Sequence, residues 1–111
     1  MVIIEKRDKI DIVSFKVNRI NALIADDIRN EVSKVFDSSG SKVIVDLKGV
    51  HYIDSSGFGC FLSLARYAKG RYGIIKFARP EPDIVNLIET LYLHTILQVF
   101  PDLDSCIGSF R

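Results

Sequence analysis

"KVIVDLKGVHYIDSSGFGCFLSLARYAKG", residues 42–70, decides the fold. Its opening, Lys42 to Leu47, is an apolar run of the kind buried on both faces of a parallel sheet, and "GVHYI" continues it toward a polar break. Beyond "IDSSG", Phe58, Phe61, Leu62, Ala65 and Ala68 recur at helical spacing, and Lys69-Gly70 supplies a C-terminal cation and a stop. The stretch therefore predicts a strand, a turn and a helix that begins at Asp54-Ser55-Ser56-Gly57 itself.

Working outward, "VIIEK" and "IDIVSFKV" are β-rich runs separated by "RDK", and a hairpin is the simplest arrangement. Asn21 is a candidate N-cap for a first helix with Ile24, Ile28, Val32, Val35 and Phe36 on one face, Asp26 and Asp27 in its first turns, and an end at "DSSGSK". Downstream, "YGIIKFA" reads as a strand. Glu81-Pro82 opens a third helix with an Ile84, Leu87, Ile88, Leu91 stripe. "TILQVF" is a last strand closed by Pro101, and "DLDSCIGSFR" can start a short terminal helix. The order ββαβαβαβ implies right-handed crossovers in one α/β domain spanning residues 1–111. It puts the motif at the carboxyl end of a central strand, where open α/β sheets place their sites. Val43, Val45, Ile53, Phe61, Leu62, Ile75 and Leu87 are expected in the core, and Ser55 in solvent.

Composition narrows the function classes. The 111 residues are 48% hydrophobic with seven Phe, enough for a proper core, and 15 Lys and Arg oppose 14 Asp and Glu. A net charge of +1 gives no electrostatic reason to expect a nucleic-acid or membrane partner. "RYAKGRY", residues 66–72, is basic and aromatic, but on a near-neutral domain it reads as a solvated turn. The N-terminus lacks the apolar core of a signal peptide, no uncharged stretch reaches membrane-spanning length, and a cytoplasmic protein is expected. Cys60 and Cys106 read as buried thiols, and neither metal nor cofactor is expected.

The motif admits several chemistries. Ser55 or Ser56 can cap the second helix. A hydrolase elbow needs Gly two residues before and two after its Ser, and the residues before Ser55 and Ser56 are Ile53 and Asp54, so that reading fails. A base would have to be His51 or His94, neither with a visible orienting partner. Gly57 and Gly59 form a lone Gly-x-Gly without the third glycine of a dinucleotide turn, since residue 62 is Leu. Cys60, Leu64 and Tyr67 lie off the main stripe of the second helix. Either that helix is deeply buried, or it offers a docking face beside Ser55 with Phe58 as anchor.

"VIVDLKGVHYIDSSGFGCFLSLARY" resembles the hallmark segment of STAS domains, in particular bacterial anti-sigma factor antagonists. "VNRINA", "ARPEPDIVNLIETLYL" and "ILQVF" follow in that family's order. The resemblance implies a single layer of mixed, mainly parallel β-sheet packed with helices. It also implies a non-enzymatic binding protein in which Ser55, the Ser after Asp54, is phosphorylated by an anti-sigma factor with serine kinase activity. A PP2C-type phosphatase would reverse the modification. The unphosphorylated form would bind the anti-sigma factor and free a sigma factor. Ser56 and Gly57 complete the phosphosite motif, Ser56 in a capping or supporting role, and Asn21, Phe58, Cys60 and Leu64 are candidate partner-binding residues. STAS domains also serve in lipid or anion transport and stress-signalling assemblies, where such a face would act constitutively. Three positions depart from the family: Asn21 stands where many relatives carry Asp, Phe58 where Leu is usual, and Tyr92 where Gly is frequent.

Overall fold

The computed structural model describes residues 1–111. Strands β1 (Val2–Arg7) and β2 (Ile10–Phe15) form the expected hairpin. Its two-residue turn, Asp8-Lys9, has both φ angles positive (52° and 66°), the backbone twist that right-handed strands favour. A two-residue strand, β3 (Arg19–Ile20), leads into helix α1 (Ala22–Ser33), which tightens into a 3-10 turn at Lys34–Asp37. Strand β4 (Lys42–Asp46) follows, then β5 (Tyr52–Ile53), helix α2 (Ser55–Gly70) and strand β6 (Ile74–Ala78). Helix α3 (Pro82–Thr90), a 3-10 turn (Leu93–Thr95), strand β7 (Val99–Phe100) and helix α4 (Leu103–Gly108) complete the chain.

The main sheet runs β1-β2-β4-β6-β7, antiparallel only at the hairpin and parallel elsewhere. This is the mixed, mainly parallel α/β layer expected from the alternation of elements. Val43, Val45, Ile75 and Phe77 turn one sheet face toward α1, α2 and α3, forming the main core with Ile28, Phe36, Phe61 and Ile84. The other face buries Ile10, Ile12, Ile44 and Ala78 under α4 through Cys106 and Ile107. β4 lies between β2 and β6 and is covered on both sides, which is why its residues read as an unbroken apolar run.

Several boundaries differ from the sequence reading. Asp26 and Asp27 sit beyond the first turn of α1, which contains no acid, and Asp26 instead pairs with Arg29 three residues on. α2 does not stop at a glycine cap; the reversal falls on Tyr72, at φ 58°, with the Gly73 N–H donating to the Ala68 carbonyl at 2.8 Å. Only Val99 and Phe100 of "TILQVF" pair in the sheet, because Leu93 in a 3-10 turn and Leu97 just after it plug the main core. Tyr92 leads into that turn, held at φ 55° in the left-handed region that suits glycine.

Candidate functional site

The motif does not leave a central strand directly, as the sequence reading had it. Between β4 and the motif the chain turns through Lys48-Gly49, with Gly49 at φ 84° and its N–H donating to the Glu81 carboxylate at 2.7 Å. It then makes β5, which pairs in parallel with β3 in a separate two-stranded ribbon, Arg19 opposite Tyr52 and Ile20 opposite Ile53. The Asp54 N–H closes the ribbon by donating to the Ile20 carbonyl at 3.1 Å. This ribbon sets the starts of α1 and α2 side by side. Asn21 caps α1, its side chain accepting from the Leu23 N–H at 3.0 Å.

Asp54, rather than Ser55 or Ser56, caps α2. Its backbone is extended, and its Oδ1 accepts from the Gly57 N–H at 3.0 Å, satisfying one of the amides that no helical carbonyl reaches. Ser55 is thereby freed from structural duty: it is the first helical residue and is exposed, whereas Ser56 is half-buried. Gly57 is the contact point with the ribbon. A Cβ there would lie 2.6 Å from Ile53 Cγ2 and 3.1 Å from the Ile20 carbonyl oxygen, so only glycine lets the first turn seat this closely.

Of the two readings of helix α2, deeper burial is correct for two of the three off-stripe residues, Cys60 and Leu64. Cys60 and Leu64 are buried between α2 and the rest of the main core and offer nothing to a partner. Phe58 is likewise buried and cannot project as an anchor; of that set only Tyr67 is exposed, under the Arg71 guanidinium. The open apolar surface beside Ser55 lies on the opposite side of α2. Tyr52, Gly59, Leu62, Leu87 and Leu91 line a shallow depression with Ser55 at its edge and Phe58 in its floor. Leu62 and Leu87, expected to be core, are only half-buried because they form this surface.

Neither histidine serves Ser55. His51 Nδ1 faces the Asp83 carboxylate at 4.0 Å, and His94 lies against Tyr92. The site assembles no nucleophile, base and acid set of the hydrolase kind. No group of three or more His, Cys, Asp or Glu side chains converges to hold a metal ion, and no helix is long and apolar enough to cross a membrane. Both cysteines are free and buried, and burial pushes each thiol up to about 11. At the carboxyl ends of β4 and β6, Arg79 grips the buried Asp46 through one edge of its guanidinium, with Nε donating to Oδ1 at 3.0 Å and Nη2 to Oδ2. That pair, the β3–β5 ribbon and the Glu81 tie escaped the sequence reading. Single charges and two-residue strands carry no periodic signal.

A strand-turn-helix unit with an unengaged Ser at the helix start, on a mixed five-stranded sheet with helices on both faces, defines a STAS-type scaffold. The family model described as STAS domain matches residues 2–106, and the chain belongs to the STAS domain family. Among solved structures it is similar to an anti-sigma-factor antagonist (STAS) domain protein from Planctomyces limnophilus, at 14% identity and a TM-score of 0.88, covering 97% of this chain and 96% of that one. It is also similar to the anti-sigma factor antagonist SpoIIAA in its unphosphorylated form, at 17% identity and a TM-score of 0.79, over 100% of this chain and 96% of that one. A third likeness is to the murine anion transporter Slc26a9, at 17% identity and a TM-score of 0.74. There 93% of this chain covers 18% of the transporter. No curated protein matches the sequence.

Proposed function

We propose that this chain is an anti-sigma factor antagonist that switches partners through phosphorylation of Ser55. Unphosphorylated, it binds an anti-sigma factor with serine kinase activity and so releases a sigma factor. Phosphorylated, it lets go, and a PP2C-type phosphatase resets it. The observation that carries the reading is the division of labour at the start of α2: Asp54 holds the helix, and Ser55 stands exposed at the rim of an apolar depression. A phosphate there adds about −1.5 to −2 charges beside a docking face without disturbing the core. Half-buried Ser56 is the poorer acceptor.

The likeness to the Slc26a9 structure supports a second reading, a constitutive STAS subunit of a lipid- or anion-transport or stress-signalling assembly. Two measurements separate the readings. With a cognate anti-sigma kinase and ATP, tandem mass spectrometry is expected to place a single phosphate on Ser55. In calorimetric titrations Ser55→Ala is expected to bind like wild type, and Ser55→Asp about 100-fold more weakly, a difference of about 2.7 kcal/mol. Equal affinities for the two variants would favour the constitutive assembly, and phosphate on Ser56 alone would move the acceptor.

A further inference from the structure

We propose that Arg19 is the intramolecular clamp for the Ser55 phosphate, its guanidinium leaving the Tyr52 ring to pair with phosphoserine when Ser55 is modified. The inference rests on Ser55 as acceptor and adds the group that receives the new charge. Arg19 is exposed and belongs to none of the chain's ion pairs, whose cations are Lys6, Arg29, His51, Arg79 and Arg111. Its partner is the face of Tyr52, 5.1 Å from the ring centroid. The ribbon register pairs Arg19 with Tyr52, so both side chains leave the ribbon on the same side. Tyr52 in turn lines the depression that has Ser55 at its edge. The guanidinium is thus parked on the one residue, Tyr52, that also lines the depression with Ser55 at its edge.

The energetics favour the transfer. A cation over an exposed ring is weakly held, whereas a guanidinium and a phosphate dianion form paired, charge-assisted hydrogen bonds. The other charged groups around the turn are poor competitors. Asp54 repels the phosphate and has Oδ1 committed to the Gly57 amide. From the segment before β5, His51 is turned to Asp83 at the start of α3. α1 brings no charge in its first turn. The geometry of Arg19 carries the inference independently of the field at the helix start.

Phosphoserine installed at position 55 by an expanded genetic code tests the clamp without a kinase. A phosphorus NMR titration reads its second ionisation, which for free phosphoserine lies near about pH 6. Arg19→Gln is expected to raise the phosphate pKa by about 0.5 unit relative to the unsubstituted phosphoprotein, a threefold loss of preference for the dianion or about 0.7 kcal/mol. Arg19→Lys should restore part of the shift, and Lys16→Gln should leave the pKa within about 0.1 unit, because an exposed charge that does not pair directly with the phosphate is screened by salt. In the protein that retains Arg19, its Nε–H resonance should move on phosphorylation. A phosphate pKa that Arg19→Gln leaves unchanged, or an unmoved resonance, would overturn the clamp. Neither result touches the kinase assay, so failure of the clamp and failure of Ser55 as acceptor are told apart.

Discussion

Gly57→Ala and Gly59→Ala, two residues apart on α2, are expected to change stability in opposite directions. Both positions are helical, so each alanine gains up to about 1 kcal/mol in backbone terms. At Gly59 nothing lies within 4 Å of the added Cβ, and the gain should be realised. At Gly57 the Cβ meets Ile53 Cγ2 at 2.6 Å, Ile20 Cγ2 at 3.0 Å and the Ile20 carbonyl oxygen at 3.1 Å. These atoms cannot step aside cheaply. Both isoleucines are β-branched, Ile20 is 0% and Ile53 2% exposed, and the carbonyl oxygen is the acceptor that closes the ribbon. Overpacking costs about 1–3 kcal/mol, and with two buried β-branched side chains and a backbone oxygen in the way the upper part of that range, about 2–3, applies, leaving a net loss of about 1–2 kcal/mol after the helix gain. For a chain of 111 residues that is a fall in Tm of roughly 4–8 °C, against a rise of about 2–4 °C for Gly59→Ala. Differential scanning calorimetry on the two variants and wild type measures both. If Gly57→Ala melts at or above Gly59→Ala, the close seating of α2 on the β3–β5 ribbon is wrong.

Two further expectations concern the cap and the thiols. Asp54→Ala should cost about 1 kcal/mol in urea unfolding and Asp54→Asn only a few tenths, while Ser55→Ala should be close to neutral; a Ser55→Ala loss as large as that of Asp54→Ala would return the cap to the serine. Cys60 and Cys106, both pushed up to about 11 by burial, should resist a disulfide reagent at pH 8 in the native protein and react at once in urea. Their folded values lie above the unfolded value of about 8.5. The stability they contribute is therefore present in full below about pH 8.5 and is lost as pH rises toward 11. Rapid native labelling, or stability rising across that alkaline window, would contradict the burial.

The parts of the fold that were legible are those with period and length: the hairpin, β4, α2 and the Pro82 start of α3. Asp54, Ser55 and Ser56 are all good capping residues in a row, so local chemistry could not choose among them. The choice follows from where the ribbon seats Gly57, a contact between segments more than thirty residues apart in sequence. The burial of Cys60 and Leu64 was similarly undecidable, since it depends on α1 lying along α2. Leu62 and Leu87 follow the apolar stripes faithfully and are nonetheless only partly buried, because the stripes extend past the core onto the depression. Ser55 was named as acceptor by family resemblance, and Arg19 as its clamp by geometry alone.

The two-residue strands of the β3–β5 ribbon have a consequence for timing. If the kinase proposed for Ser55 takes the segment in an extended shape, the start of α2 has to open. Peeling residues 54–56 breaks the bonds from Asp54 N–H to Ile20, from Gly57 N–H to the Asp54 carboxylate and from Phe58 N–H to the Asp54 carbonyl. None of these belongs to the main sheet, and Val43, Val45 and Phe77 remain packed while they open. The amides of Asp54 and Gly57 should accordingly exchange with solvent through local opening, orders of magnitude faster than those of β4, whose exchange waits for the whole domain to unfold. On this reasoning the start of α2 can open at Ser55 while the body of the domain stays shut.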